Sequence, residues 1–212
     1  MSFCRERSSH RGIKRFQNLQ RVWLYSVNQK FLEELAEIST IESLFIKGFT
    51  ATDLTPLWKM RRLRRLILIN NTKIQNLDWV TGLTTVESLC IEHFKQVTNL
   101  DPLASLTNLS ALGVVGSVET AMRVSSLKPL SNLQKLQFLS LTNLRVADQK
   151  LSHLYSLSNL EILHCARFFP DEEFLSLRRA LPDLKCQWFD MIDRYGSTSK
   201  GVRTLVKNLF QT

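Results

Sequence analysis

Cysteine, histidine and carboxylate side chains are the groups in this chain that could carry out chemistry. Cys90 and His93 are close in sequence, but they need not meet in space, and no acid that would orient the histidine is identifiable. His164 is best interpreted as a plain polar contact residue. The three acids at 171–173 have the placement of a helix start, where negative charge is stabilised. The sequence therefore predicts no catalytic centre.

Metal and cofactor motifs are also missing from the sequence. The four cysteines are scattered, with no C-x-x-C pair and no histidine at a spacing that suits zinc: Cys4, Cys90, Cys165 and Cys186. Neither a glycine-rich phosphate loop nor the G-x-S-x-G and H-E-x-x-H patterns occur. We therefore predict a protein that is not an enzyme and that holds no metal and no cofactor.

The composition is that of a folded globular protein. Of 212 residues, 44% are hydrophobic and 22% are charged, and only seven are Gly and five Pro. The formal net charge of +9 favours acidic partners through long-range attraction. Acidic protein, nucleic acid and anionic membrane surface all satisfy this condition.

No targeting or membrane segment is recognisable. The first residues, MSFCRERSSHRGIKRF, are charged but lack the apolar core of a secretory signal, and no run of 18 apolar residues occurs. A reducing cytoplasm is the simplest predicted location. Export by a specialised secretion system remains compatible with this sequence.

One segment, KMRRLRRLILINN from Lys59 to Asn71, places five cations within seven residues and continues into four aliphatic residues. Such a cluster fits a nucleic-acid-binding arm, a membrane-surface helix or the start of a strand. Its interpretation depends on the elements around it.

Those elements repeat. The pattern L-x-x-L-x-L occurs eight times: LQRVWL from Leu19, IESLFI from Ile41, LRRLIL from Leu63, VESLCI from Val86, LSALGV from Leu109, LQFLSL from Leu136, LEILHC from Leu160 and LKCQWF from Leu184. The starts are 22, 22, 23, 23, 27, 24 and 24 residues apart. A fixed period of this length is the signature of a stacked repeat architecture.

The apolar places of the blocks predict a common core. With Cys165 counted as apolar, 23 of the 24 first, fourth and sixth places are apolar, and the exception, Gln187, lies in the last block. A leucine also stands nine residues before each of six blocks, at Leu54, Leu77, Leu100, Leu127, Leu151 and Leu175. We predict a parallel strand at each block and a return segment that lines the far side of the core.

These repeats resemble the leucine-rich-repeat family, and their short period is similar to that of bacterial internalins and of a regulatory subunit of protein phosphatase 1. The resemblance covers roughly Leu19 to Ile192. It implies an α/β solenoid, a curved right-handed horseshoe with about eight parallel strands on its concave face and 3₁₀ or α segments on its convex face. The expected organisation is a basic N-terminal cap over 1–18, the repeat array over 19–192 and an amphipathic capping helix over 193–212.

The chain departs from the family at the ninth place of each block. Family members usually carry there an Asn that bonds the backbone of adjacent turns, whereas here only Asn71 does so. Phe occupies that place three times, at Phe49, Phe94 and Phe168, which suggests that aromatic packing fills the corner. The fifth unit is longer, and its surplus lies in GSVETAMRVSS (116–126), which predicts a bulged loop or an extra helical turn.

The return segments divide into two predicted kinds. ADQKLSHLYSL and PDEEFLSLRRAL have apolar residues at helical spacing and predict α-helices, whereas the segments with DLTPL, NLDPL and LKPL carry Pro and favour 3₁₀ turns. The segment KGVRTLVKNLF has one apolar helical face. It is expected to cap the array or to dock a partner or an anionic surface.

Places three, five and seven of each block should point out of the concave face, because side chains alternate along a strand. From these places we predict a partner-binding surface made of Arg21, Trp23, Tyr25, Phe45, Lys47, Arg65, Ile67, Ile69, Cys90, Glu92, Phe138, His164, Trp188 and Asp190. Its N-terminal third combines aromatic residues with arginine, the mixture enriched at binding hot spots.

The leading functional hypothesis is a non-catalytic protein–protein interaction module that holds a protein ligand, expected to be acidic, on the concave face. An inhibitor, an adaptor and a bacterial immunity or effector-type protein all fit this description. The alternative is a nucleic-acid-binding protein that uses its basic surface, with KMRRLRR as the first candidate. In the repeat frame only Arg65 of that cluster faces the concave surface, which weakens the alternative there.

Overall fold

A computed structural model describes residues 2–5 and 12–195 of the chain. Nine parallel strands form one open sheet, and their order along the chain is also their order across the sheet. These strands are β1 Ser2–Arg5, β2 Arg21–Val27, β3 Ser43–Phe49, β4 Arg65–Ile69, β5 Ser88–Glu92, β6 Ala111–Val115, β8 Phe138–Leu141, β10 Ile162–Cys165 and β11 Lys185–Cys186. Two further strands, β7 Met122–Val124 and β9 Leu144–Val146, pair with each other in a second sheet.

The repeat frame is confirmed, since each of the eight blocks contributes a strand to the main sheet. All 23 apolar residues at the first, fourth and sixth places of the blocks are buried. The pairing register joins equivalent places of successive blocks, so that Val22, Leu44 and Leu66 lie side by side in one row. The core is thus a stack of similar layers, and each layer is covered by its neighbour. The curvature of a horseshoe stays a prediction.

The return segments close the other side of the core, mostly as 3₁₀ helices. These run over Thr55–Lys59, Asp78–Gly82, Asp101–Ser105, Lys128–Asn132 and Ser152–Leu154. The prediction of 3₁₀ turns at DLTPL, NLDPL and LKPL is confirmed, whereas that of an α-helix at ADQKLSHLYSL is wrong. Of the six predicted far-side leucines, five are buried and Leu175 is half-buried.

Three α-helices complete the described chain: α1 Gln29–Ala36, α2 Asp171–Ala180 and α3 Gln187–Tyr195. The predicted helix at PDEEFLSLRRAL is α2. Helix α1 was not predicted from the sequence. Its start nevertheless has a sequence signal, since the side chain of Asn28 caps the helix by accepting from the Phe31 N–H at 3.0 Å. Within the described residues, no helix is long and apolar enough to cross a membrane.

At the corners that follow β3, β4 and β5, the ninth places are filled by Phe49, Asn71 and Phe94. Asn71 is fully buried, donates to the carbonyl oxygens of Phe49 and Ala51, and accepts from the N–H groups of Lys73 and Ile74. Phe49 and Phe94 occupy the same place in the preceding and the following block, and their ring centroids are 6.1 Å apart. The prediction of aromatic corner packing is therefore confirmed for these two residues.

The same prediction is wrong for Phe168. Its ring is 36% exposed, and the next residue, Phe169, takes the buried position against Phe174 at 6.0 Å between ring centroids. The chain shifts here by one residue because Pro170 and α2 follow directly. A helix that starts this early leaves less chain for the corner.

The long fifth unit contains a bulged loop over 116–121 and then β7, rather than an extra helical turn. Strand β7 pairs in parallel with β9, in the register Met122 to Leu144 and Arg123 to Arg145. Gly116 is required at the start of the loop, because a Cβ atom there would overlap the carbonyl oxygen of Asn143. The insertion thus builds a small second sheet beside the array.

The eighth block differs most from its prediction. Only Lys185 and Cys186 extend as β11, and the chain then turns into α3 at Gln187. Cys186, predicted to face outward, is buried, whereas Gln187 is exposed. Helix α3 covers the layer that the eighth block forms. The predicted capping helix over 193–212 lies outside the described residues beyond Tyr195.

Candidate binding surface

The outward face of the main sheet, between β2 and β10, carries the third, fifth and seventh places of the blocks, and we call it the open face. Every side chain that the sequence predicted there on these strands is half-buried or exposed. At a strand spacing of about 4.8 Å, the seven strands from β2 to β10 span roughly 29 Å. The sheet register therefore assembles twelve of the fourteen predicted residues on one surface.

The first third of the open face holds three aromatic side chains. Trp23 is 40% exposed and Tyr25 is 37% exposed, and both lie on β2. Phe45 on β3 pairs in register with Trp23, and its ring meets that of Tyr25 edge-on at 6.2 Å. The three rings form a contiguous apolar patch that water reaches.

Three cations surround the aromatic patch. Arg21 and Arg65 lie two strands apart in one row of the register, with Ser43 between them, and Lys47 follows Phe45 on the same strand. All three are exposed, and none forms an ion pair with another described residue. Unpaired guanidinium groups beside aromatic rings are suited to carboxylates, which they bind in a bidentate manner.

The middle of the open face is small and apolar. Ile67, Cys90 and Gly113 are neighbours in one row of the register, and a Cβ atom on Gly113 would come to 2.9 Å from the Cys90 sulfur. Ile69 and Glu92 are neighbours in the next row. This row places the carboxylate of Glu92 two strands away from Lys47.

The environment of Cys90 favours the neutral thiol. Burial, together with the nearby negative charge of Glu92, raises the pKa of its thiol to about 11, so that the reactive thiolate is scarce at neutral pH. His93 instead shares a 2.8 Å hydrogen bond between its Nδ1 and Oδ1 of Asn70. No hydrogen bond joins Cys90 to His93 among the described contacts.

The far end of the open face is aromatic again. The ring of Phe138 on β8 meets the imidazole of His164 on β10 edge-on, with 5.3 Å between centroids. His164 and Asp190 line one recess of about 460 Å³ at the end of the sheet. The structure therefore brings these two predicted residues near each other, although Asp190 lies on α3 rather than on a strand.

Trp188 takes a different position from the one predicted. It belongs to α3, is only half-exposed, and its indole N–H donates to the carbonyl oxygen of Cys165 at 2.8 Å. Its ring packs against Phe174 and Arg167. Trp188 thus anchors α3 to the seventh block. The predicted outward strand position does not exist, because α3 takes the place of the strand.

The acids at 171–173 serve the first turn of α2, as the sequence predicted. Asp171 forms a bidentate ion pair with Arg167 at 2.7 and 2.8 Å, and Glu173 accepts a hydrogen bond from the backbone N–H of Leu151 at 2.6 Å. These contacts join the helix to the chain around it.

At the rim of the open face, the insertion loop adds residues that the sequence did not predict for this surface, Val118 and Glu119. Lys47, Ile69 and Glu92 line a cavity of about 280 Å³ whose opposite wall is the insertion loop, at Val118 and Glu119. Val118 is fully exposed. The sequence indicates the insertion. Its position beside β3 and β4, however, depends on how the repeats stack.

The turns at this rim repeat a left-handed backbone conformation that also has a sequence signal. The eighth place of five blocks has positive φ, between 51° and 66°, at Ser26, Gly48, Asn70, His93 and Asn143. Gly and Asn tolerate this conformation best, and three of the five are Gly or Asn. Gly or Asn at the eighth place of a block is therefore a sequence signal for the turn that follows the strand.

The fold has solved counterparts. Internalin C2 of Listeria monocytogenes is 24% identical over 74% of this chain, with a TM-score of 0.54. The chain has the leucine-rich-repeat fold. It spans 64% of the length of the internalin C2 chain.

Two further leucine-rich-repeat structures resemble the chain more distantly. A leucine-rich-repeat protein of Leptospira interrogans is 16% identical over 82% of this chain and 55% of its own, with a TM-score of 0.39. A second internalin of Listeria monocytogenes is 17% identical over 85% and 77%, with a TM-score of 0.33. No protein-family model and no curated protein matches the chain.

Proposed function

We propose that this protein is a non-catalytic interaction module that binds an acidic protein partner through the open face. One observation carries the proposal: Trp23, Tyr25 and Phe45 form a water-accessible aromatic patch between cations that have no ion-pair partner among the described residues. Exposed aromatic rings and unpaired arginines are the combination that interface hot spots use. Without a partner, such a patch would favour self-association.

The chemistry of the open face supports an acidic partner with an exposed apolar side chain. Carboxylates of the partner would meet Arg21, Lys47 and Arg65, and an apolar side chain would lie on the aromatic patch. A face about 29 Å wide is large enough for a standard protein interface, which buries about 800 Å² on each partner. Inhibitors, adaptors and bacterial immunity or effector-type proteins all use such binding, and a cytoplasmic location is part of the proposal.

Nucleic acid is a weaker candidate for this surface. The middle of the open face is apolar, at Ile67, Cys90 and Gly113, and Glu92 adds a negative charge beside it. A phosphate backbone would gain little there, since its binding depends on neutralisation by Lys and Arg.

The test is affinity capture from the native host with the wild type and the double variant Trp23→Ala/Phe45→Ala. We expect the main partner of the wild type to be lost, because truncation of central aromatic residues costs about 2 kcal/mol or more each, roughly a thirtyfold weaker binding. Circular dichroism establishes that both proteins are folded.

A matched control is Phe168→Ala, which removes an aromatic ring of similar exposure, 36%, from a different surface. It should retain the partner. Equal capture by the wild type and the double variant would show that the partner does not use the open face.

A further inference from the structure

A second charged surface lies on the flank of the array, where the chain leaves the strands. Exposed cations occur in four successive segments that follow β4, β5, the insertion loop and β8, and we call them the basic flank: Lys73, Lys95, Arg123 and Arg145. Hydrogen bonds show that the segments are adjacent. Gln96 donates to the carbonyl oxygen of Thr72, and the N–H of Ser125 donates to the carbonyl oxygen of Thr98.

The insertion is what completes this row. Strands β7 and β9 each bury their first and third residues and expose the middle one, and the register places Arg123 directly beside Arg145. Without the additional residues of the fifth unit, Arg123 would not reach this register. The two guanidinium groups are thus carried on neighbouring strands about 4.8 Å apart.

No described carboxylate neutralises these four cations. None of the four cations forms an ion pair with a described residue, and like charges directly opposite each other on neighbouring strands are destabilising. The nearby carboxylate of Asp148 is already bound to His153 at 3.0 Å and to the N–H of Lys150. An external anion would therefore relieve the repulsion.

The flank differs from the open face in its apolar content. Among its described residues the exposed aromatic ring is Phe168, over which the guanidinium of Arg145 lies at 5.2 Å from the centroid. A stable protein interface needs an apolar centre, which this row lacks. Binding of a phosphate backbone needs only an ordered row of cations, and a neighbouring aromatic ring adds a platform on which an unpaired base can stack.

We propose that the basic flank binds the phosphate backbone of single-stranded nucleic acid. Three repeat steps of about 4.8 Å give the row a length of roughly 14 Å, enough for several consecutive phosphates. Phe168 favours a single strand over a duplex, because the bases of a duplex are already stacked on each other. The activity is separate from the proposed binding of protein on the open face.

The test measures fluorescence anisotropy of a labelled oligothymidylate of about 20 nucleotides, longer than most binding sites, with the full chain over a range of salt concentrations. The slope of log affinity against log salt concentration is negative, and its magnitude decreases by about 0.7 for each phosphate contact that is lost. We expect Arg123→Gln/Arg145→Gln to reduce the slope by about 1.4 and to weaken binding at low salt.

The matched control is Arg61→Gln/Arg62→Gln, which removes the same charge from two exposed arginines in the turn before β4. Its slope should equal that of the wild type. Equal losses in the two double variants would mean that only net charge matters, and would overturn the proposal, as would an absence of binding by the wild type. Binding of a duplex as tight as that of the single strand would refute the role of Phe168.

The same oligonucleotide measurement on Trp23→Ala/Phe45→Ala separates this proposal from the one for the open face. We expect unchanged affinity, because these residues lie on a different surface. A loss comparable to that of Arg123→Gln/Arg145→Gln would move the nucleic-acid site to the open face and contradict the assignment to the flank.

Discussion

Replacement of Asn71 by alanine tests whether one side chain holds the corner of the array. Its amide donates to the carbonyl oxygens of Phe49 at 3.2 Å and Ala51 at 2.8 Å, and its oxygen accepts from the N–H groups of Lys73 at 2.8 Å and Ile74 at 3.1 Å. Alanine removes all four hydrogen bonds at a site that water does not reach.

The magnitude follows from the burial of these groups. A net hydrogen bond contributes about 1 kcal/mol, and a buried group that loses its partner costs about 1 to 3 kcal/mol. With three of the four bonds fully buried, we expect Asn71→Ala to lower the free energy of unfolding by about 3 to 4 kcal/mol. A typical domain has only about 5 to 15 kcal/mol in total.

The assay is urea unfolding followed by circular dichroism, with Asn99→Ala as the control. Asn99 accepts one exposed hydrogen bond from the N–H of Asp101 at 2.9 Å, so its replacement should cost no more than about 0.5 kcal/mol. A free energy of unfolding of Asn71→Ala within about 1 kcal/mol of the wild-type value would mean that water replaces the lost hydrogen bonds, and the account of the corner would be incorrect.

Two further predictions concern single residues. The raised pKa of Cys90, about 11, means that its thiolate fraction grows about tenfold per pH unit up to pH 10. At neutral pH, iodoacetamide should label Cys90 at least a hundredfold more slowly than a free cysteine with a pKa of about 8.5, as followed by mass spectrometry of its peptide; labelling at the free rate would disprove this. Gly82→Ala should displace Trp58, whose ring a Cβ atom would overlap, and break the 2.6 Å hydrogen bond from its indole N–H to the carbonyl oxygen of Trp79. We expect a lower melting temperature and red-shifted tryptophan emission, whereas unchanged emission would mean that the ring adapts in place.

Much of the fold was predictable because each repeat buries the same places. The apolar residues at the first, fourth and sixth places of a block are buried together only if their side of the strand points to the core. This condition recurs in every block. Pro in the short return segments likewise indicated 3₁₀ turns. The predicted α-helix at ADQKLSHLYSL failed because its apolar spacing also fits one 3₁₀ turn followed by an irregular segment.

The binding surface was predictable wherever a residue lies on a strand of the array. Trp23, Phe45 and Arg65 are outward because alternation along a strand is local and needs no knowledge of the rest of the fold. Trp188 was placed incorrectly because the strand of the eighth block ends at Cys186 and the chain continues as helix α3, which covers the layer.

The sequence alone determined the number of repeats, the residues of the core and the outward face of each strand, since these follow from a spacing that every repeat obeys. Only the tertiary structure decided how unlike segments meet. The insertion brings Arg123 beside Arg145 and lines the rim near Lys47, and the last block becomes a cap. Such contacts join residues from different repeats, so their geometry depends on the stacking of whole layers and not on any local pattern.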